Sequence, residues 1–192
     1  EIHQQNGVWN TVPIAWANWS VGQMGRLLGI SGDTLILEHP LRIDYTDSLH
    51  PQIQRVYPIQ KAGIGCLKIK RLNTEGSGAG SNIFFDFSAN GHVSGIESDS
   101  SVASHVYISH STQIRIEKSY FHHAFVYDGS NTQGYGVTLA HHSGECLITN
   151  NIFVHLRHSM MLKTGANGNV ISYNYSVDPF RTESVPDASG DI

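Results

Sequence analysis

The chain has 192 residues, with 12 Lys+Arg against 16 Asp+Glu, a net charge of −4 and only 15% charged residues. An average domain carries about 25%. That balance excludes a general electrostatic nucleic-acid binder, which needs a basic face, and the 40% apolar content excludes charge-driven disorder. No apolar run approaches the ~18 residues that cross a bilayer, and residues 1–5 show neither the basic nor the apolar region of a signal peptide. One domain is expected, long enough to bury about 70% of its extended surface.

Residues 1–60 are irregular. Trp9, Trp16 and Trp19 cluster near the start, and residues 24–42 read as a hairpin around Ser31, Gly32 and Asp33. This segment is expected to lie as a lid on the rest of the chain; the sharper alternative is an aromatic platform that stacks on sugars. Beyond it come short runs of alternating apolar residues bounded by Gly, Asn and Ser, at 67–70, 83–87, 106–108, 114–116, 137–139, 147–149 and 170–172, after an earlier one at 34–38. Windows with helical periodicity are scarce, so the chain is predicted to be all-β.

These runs repeat. Leu139 to Leu162 and Ile148 to Ile171 are each 23 residues, and so is Phe85 to Ile108. Ile108 to Leu139 is 31 and Ile116 to Ile148 is 32, which fits a loop of eight or nine residues inserted around 128–134; Val93 to Ile114 is 21. Such a period is too long for a hairpin and too short for a propeller blade. It suits one coil of a parallel β-helix, whose inward residues are buried only when coils stack about 4.8 Å apart. Ser119, Asn151 and Asn174 share one corner register, where an Asn can bond to backbone and to the Asn above it.

The repeated pattern xIxIxxS/NxF, carried by residues 113–121, 145–153 and 168–176, resembles the pectate-lyase-like right-handed parallel β-helix superfamily. The run 21–42 looks like the segment that precedes the coils in secreted bacterial members. The resemblance spans residues 20–178 and implies a right-handed solenoid, with 1–60 as the N-terminal hairpin or cap segment and 61–192 as coils that are truncated at the C-terminus. It implies an extracellular location and, for its catalytic members, an acidic polysaccharide substrate. The fold also hosts adhesins and plain shafts. The Trp-Ile-Asp-His and Arg-x-Pro-x-x-Arg signatures of pectate lyases are absent, as are the polygalacturonase sets Asn-Thr-Asp, Asp-Asp, Gly-His-Gly and Arg-Ile-Lys, so no catalytic residue transfers from those families.

The columns supply the candidates instead. Strand alternation aligns Ser109, Ala140 and Lys163 outward, followed by His110, His141 and Thr164, then Ser111, His142 and Gly165; Glu117, Thr149 and Ser172 form another column. Two clusters result: His110, His141, His142 and Lys163; and His122, His123, His155 and Asp178, with Arg157 and His158 nearby. A uronate lyase needs a cation or Ca²⁺ against the substrate carboxylate, a base for the C5 proton and an acid for the leaving oxygen. Lys163, His141 and His142 are the catalytic candidates, with Lys163 as base or carboxylate clamp, and His110, Arg157, His158 and Glu117 are the candidate substrate contacts. The alternative is that these His residues only build corner ladders. A hydrolase would need two carboxylates roughly 5–9.5 Å apart, and Asp86, Glu97, Asp99, Glu117 and Asp128 form no tight motif. His123, His155 and Asp178 would span about 9.6 Å over three coils, so no metal site is assigned. Cys66 and Cys146 are expected to be free, buried thiols.

Two functions are expected: binding or lyase-type cleavage of an acidic polysaccharide or, alternatively, a non-catalytic structural or adhesive shaft. Partners would be the polysaccharide, with no nucleic acid and no membrane span, and self-association or further coils capping the ends.

Overall fold

A computed structural model describes residues 2–5, 8–11, 21–47, 50–73, 80–127 and 133–180. Loop residues 128–132, Trp16, Trp19 and the C-terminal stretch from 181 lie outside the described residues, as does the side chain of Trp9. Strands β1 (Ile2–Gln5) and β2 (Val8–Thr11) pair antiparallel, as do β3 (Leu27–Ser31) and β4 (Thr34–Leu37). The second pair is the hairpin expected around Gly32, whose φ of 57° suits a residue without a Cβ.

From β5 (Ile59–Gln60) onward every pairing is parallel. The first pass of the chain runs through β6 (Gly63–Gly65), β7 (Lys68–Lys70) and β8 (Ile83–Asp86). After β9 (Ser88–Ala89), which pairs with β5, the second pass takes β10 (His92–Ser94), β11 (Glu97–Ser101) and β12 (Ser104–Ser109). The third takes β13 (Arg115–Glu117), β14 (Tyr120–Ala124) and β15 (Tyr135–Ala140), and the fourth β16 (Leu147–Thr149), β17 (Ile152–Val154) and β18 (His158–Leu162). A fifth adds β19 (Val170–Ser172) and β20 (Tyr175–Val177). Each strand bonds to its counterpart one pass earlier. Three open sheets result: sheet I (β6, β10, β13, β16, β19), sheet II (β7, β11, β14, β17, β20) and sheet III (β8, β12, β15, β18). No sheet closes into a barrel, and no α-helix occurs among the described residues.

The core is a set of vertical columns. Ile64, Val93, Ile116, Ile148 and Ile171 align in sheet I, and Phe85, Ile108, Leu139 and Leu162 in sheet III. The middle members are fully buried. Burial of each contributes about 1.5–3 kcal/mol, and none could be buried by a single pass alone. The pairing corrects one spacing: Val93 lies beside Ile116, not Ile114, so this step is 23 residues like the others. At the corner, Ser119 N–H donates to Asn151 Oδ1 (3.1 Å) and Asn151 N–H to Asn174 Oδ1 (3.0 Å), while Asn151 Nδ2 also reaches the Ile116 carbonyl (3.0 Å). The sequence column is thus a hydrogen-bonded ladder that satisfies the N–H groups left over where strands end.

The two cysteines are free, but only Cys146 is buried; Cys66 is exposed. It belongs to the first pass, whose lower side no strand covers among the described residues.

Candidate functional site

Most corners among the described residues turn on residues in the left-handed region. Phe87, His110, His141 and Thr164 form one such column, with φ of 44–48°. Ser100, His123, His155 and Asp178 form a second, and Cys66, Gly95, Lys118, Asn150 and Tyr173 a third. A left-handed conformation costs an L-residue about 1–2 kcal/mol, and Asn, Asp and His are enriched there. Four of the candidate His residues are therefore in columns for a backbone reason. His142 is different. Thr112 pairs with Gly144 and Ser111 N–H reaches Ser143 Oγ (3.3 Å), so Ser111 aligns with Ser143 rather than with His142. His142 is an inserted corner residue with φ of 62°, and it accounts for the step from 31 to 32 residues.

The outer face at the end of sheet III gathers the first cluster. The rings of Phe87, His110 and His141 stack on one another at 4.8 and 5.1 Å between centroids, and His142 stands edge-on to His110 at 6.2 Å. His110 Nδ1 lies 3.2 Å from Asp86 Oδ1 and 2.9 Å from Ser109 Oγ. Half-buried Lys163, one strand beyond Ala140, reaches back across β15 to place Nζ 5.5 Å from the centre of the Tyr107 ring.

Electrostatics separates the roles these groups can take. Burial lowers the His141 pKa, and the charges of His110, Lys163 and His142 lower it further against the opposing pull of Asp86. The imidazole is held neutral. Burial alone lowers Lys163, from a starting value far above neutrality. Burial, then Asp86, raises Tyr107, so its hydroxyl keeps its proton. One face thus holds a neutral base, an ammonium and a protonated phenol.

A strap crosses this corner. Asn167 Nδ2 donates to the Gly22 carbonyl (2.9 Å), Met24 N–H to the His142 carbonyl (3.3 Å) and Gln113 Nε2 to Glu38 Oε2 (3.1 Å), while Arg42 pairs with Glu145 at 2.5 Å. Gly22 lies against the His142 ring: a Cβ there would come within 2.7 Å of Cε1.

The second cluster lies on and beside sheet II. His122 Nδ1 is 2.9 Å from His123 Nδ1, His122 Nε2 is 3.1 Å from Glu97 Oε1, and His155 Nδ1 is 2.9 Å from Asp178 Oδ2. Lys68 pairs with Glu97 at 2.6 Å and Lys70 with Asp99 at 3.2 Å. The hydrogen bond from Lys68, then that from His122, holds the Glu97 pKa down. Burial pushes Asp99 up, but the bonds from Ser100 and Lys70 outweigh it and its pKa is lowered. Both carboxylates stay ionised, so neither can serve as the general acid of a hydrolase pair. No group of three or more His, Cys, Asp or Glu has metal-holding geometry among the described residues.

The remaining candidates are dispersed. Arg157 is 4% exposed and donates from Nη1 to Tyr135 Oη (2.9 Å). His158 opens β18 with its ring 5.1 Å from that of Tyr135. Glu117 is on the outer face of sheet I, 3.8 Å from Arg115.

Two residues of consequence are not marked by the sequence pattern, Tyr107 and His105. His105 is fully buried, with Nε2 2.9 Å from the His123 carbonyl and Nδ1 2.8 Å from Ser98 Oγ. The carbonyl can only accept, so Nε2 carries the proton and Nδ1 accepts from the serine. Gly136 follows His105 in its column, with no room for a Cβ beside the Ser159 carbonyl oxygen.

Comparison of the chain with protein-family models, with curated proteins and with solved structures found no match. No helix among the described residues is long and apolar enough to cross a membrane.

Proposed function

We propose that this chain is a right-handed parallel β-helix module of the pectate-lyase-like type, extracellular, that binds an acidic polysaccharide and cleaves it by β-elimination on the outer face of sheet III. The observation that carries the reading is the grouping of Lys163, His141 and Tyr107 on one outward face, in the protonation states the reaction needs. Lys163 meets the uronate carboxylate and stabilises the charge that develops as C5 loses its proton. His141 takes that proton, the C5–H pair forms the C4–C5 double bond, and the C4–O bond breaks. Tyr107 gives its proton to the departing oxygen. No water is consumed. His110, set by Asp86, and His142, under the strap, flank the bound chain. General acid–base groups of this kind contribute about 10²–10⁴-fold each.

The test is incubation with a panel of uronate polymers, with and without Ca²⁺, following the unsaturated product by ultraviolet absorbance. Lys163→Ala and His141→Ala are expected to lower the rate by about 100-fold or more. No product on any polymer ends the lyase reading, and a Lys163→Ala variant as active as the parent removes the site.

A second reading, a structural or adhesive shaft, is supported by the left-handed corners, which place His110, His141, His123 and His155 in columns without any chemistry.

A further inference from the structure

The two ends of the stack leave matching edges. Among the described residues β19 and β20 pair only with β16 and β17, and β6 and β7 only with β10 and β11. Ile171 and Leu162 end their inward columns 36% and 47% exposed, above neighbours that are fully buried. At the other end Ile64 and Ile69 begin their columns half-buried, packed on one side only.

The spacing of the passes says what fits there. From the first residue of the sheet I strand to the first of the sheet II strand is five residues in every pass: Gly63 to Lys68, His92 to Glu97, Arg115 to Tyr120, Leu147 to Ile152 and Val170 to Tyr175. All these strands run parallel, and each is three to five residues with the same inward position. The first pass therefore has the spacing, direction and side-chain alternation of the pass that would follow the fifth. It lies on the opposite end of the molecule and faces the other way along the stack, as a head-to-tail contact requires.

We infer that copies of this chain stack end to end, the β19–β20 edge of one copy pairing with the β6–β7 edge of the next. The register carried over from the internal passes sets Ile171 on Ile64, Ser176 on Ile69 and Tyr173 beside Cys66. One position beyond β20 it sets Asp178 beside Arg71, an acid against a base at the corner column. Among the described residues sheet III ends at β18, one level lower, so the contact they make is stepped. Because the contact is heterologous and does not close, it generates an open filament instead of a dimer. Stacking depends on the repeated passes and not on the Lys163 chemistry; activity can vanish in Lys163→Ala while stacking persists.

Two experiments test it. In sedimentation of the 192-residue chain over a concentration series, the average mass should rise past twice the 21.1 kDa of one chain without a plateau. Asp178→Arg should reduce that growth at least several-fold, and adding Arg71→Asp should restore it. Independently, Tyr173→Cys places a thiol in the column of the next copy's Cys66, within the ~4.4–6.8 Å Cα range of a disulfide. Oxidation should give a ladder of dimers, trimers and higher species, abolished by Cys66→Ser. A single chain at all concentrations, a plateau at the dimer, a charge swap that fails to rescue, or crosslinks that survive Cys66→Ser each overturn the inference.

Discussion

Replacing His105 by Gln should make the protein less sensitive to acid. Burial pushes the His105 pKa down to about 3, against the pull of the hydrogen bond to the His123 carbonyl, from a value of 6.5 in the open chain. In the window between those values the unfolded chain binds a proton that the folded chain does not. Stability therefore rises with pH through the window, is fully present above about 6.5, and is lost as the pH falls. At about 1.36 kcal/mol per unit, the full span is worth about 5 kcal/mol, and near pH 5 about 2 kcal/mol has already gone. Glutamine does not titrate, and its amide can still donate to the His123 carbonyl. It loses the ring's packing on Phe121, 5.8 Å away between centroids, so near neutral pH the variant should be less stable by about 1–3 kcal/mol. Urea titrations of both proteins at about pH 7.5 and about pH 5 measure the gap, which should shrink by about 2 kcal/mol at the lower pH. A gap that is the same at both pH values would refute the reasoning, because it would mean that His105 binds its proton equally in both states.

Asn151→Ala leaves the buried Ser119 N–H without its side-chain acceptor, removes the added bond to the Ile116 carbonyl, and should cost about 1–3 kcal/mol in urea unfolding. Asn151→Ser, which keeps an oxygen as Ser119 does one pass below, should cost less than half of that. At exposed Lys118, with φ of 53°, substitution by Gly should raise stability by about 0.5–1 kcal/mol and Val should lower it by at least about 1 kcal/mol, as read from melting curves. A thiol reagent should modify Cys66 quickly in the native protein and Cys146 only after unfolding, since burial pushes the Cys146 thiol up to about 12. Fast loss of both thiols in the native parent, or of the one remaining thiol in Cys66→Ser, would contradict the packing of Cys146.

The inward columns were legible in the amino-acid order alone. An apolar residue at every second position, repeated 23 residues on, can be buried only by stacking, so Leu139 on Leu162 and Ile148 on Ile171 followed from periodicity. The Asn corner was legible for a similar reason: one polar side chain in a fixed register among small residues must serve the backbone beside it. The hairpin at residues 24–42 followed from its turn residues. What the order of residues could not decide is how each corner bends and what covers it. Ser111 and His142 match by counting but not in space, because a left-handed corner can take in one extra residue without disturbing the strands on either side. The closing of Arg157 beneath Tyr135, the burial of His105 against the His123 carbonyl and the exposure of Cys66 depend on neighbours one or more passes away. Likewise, only the folded chain brings Lys163 back across β15 to Tyr107 and lays Gly22 on His142. Strand alternation is a local property of an extended chain and is written along it, whereas the cover over a corner and the pKa of a group beneath it are set by segments that meet only after the passes have stacked.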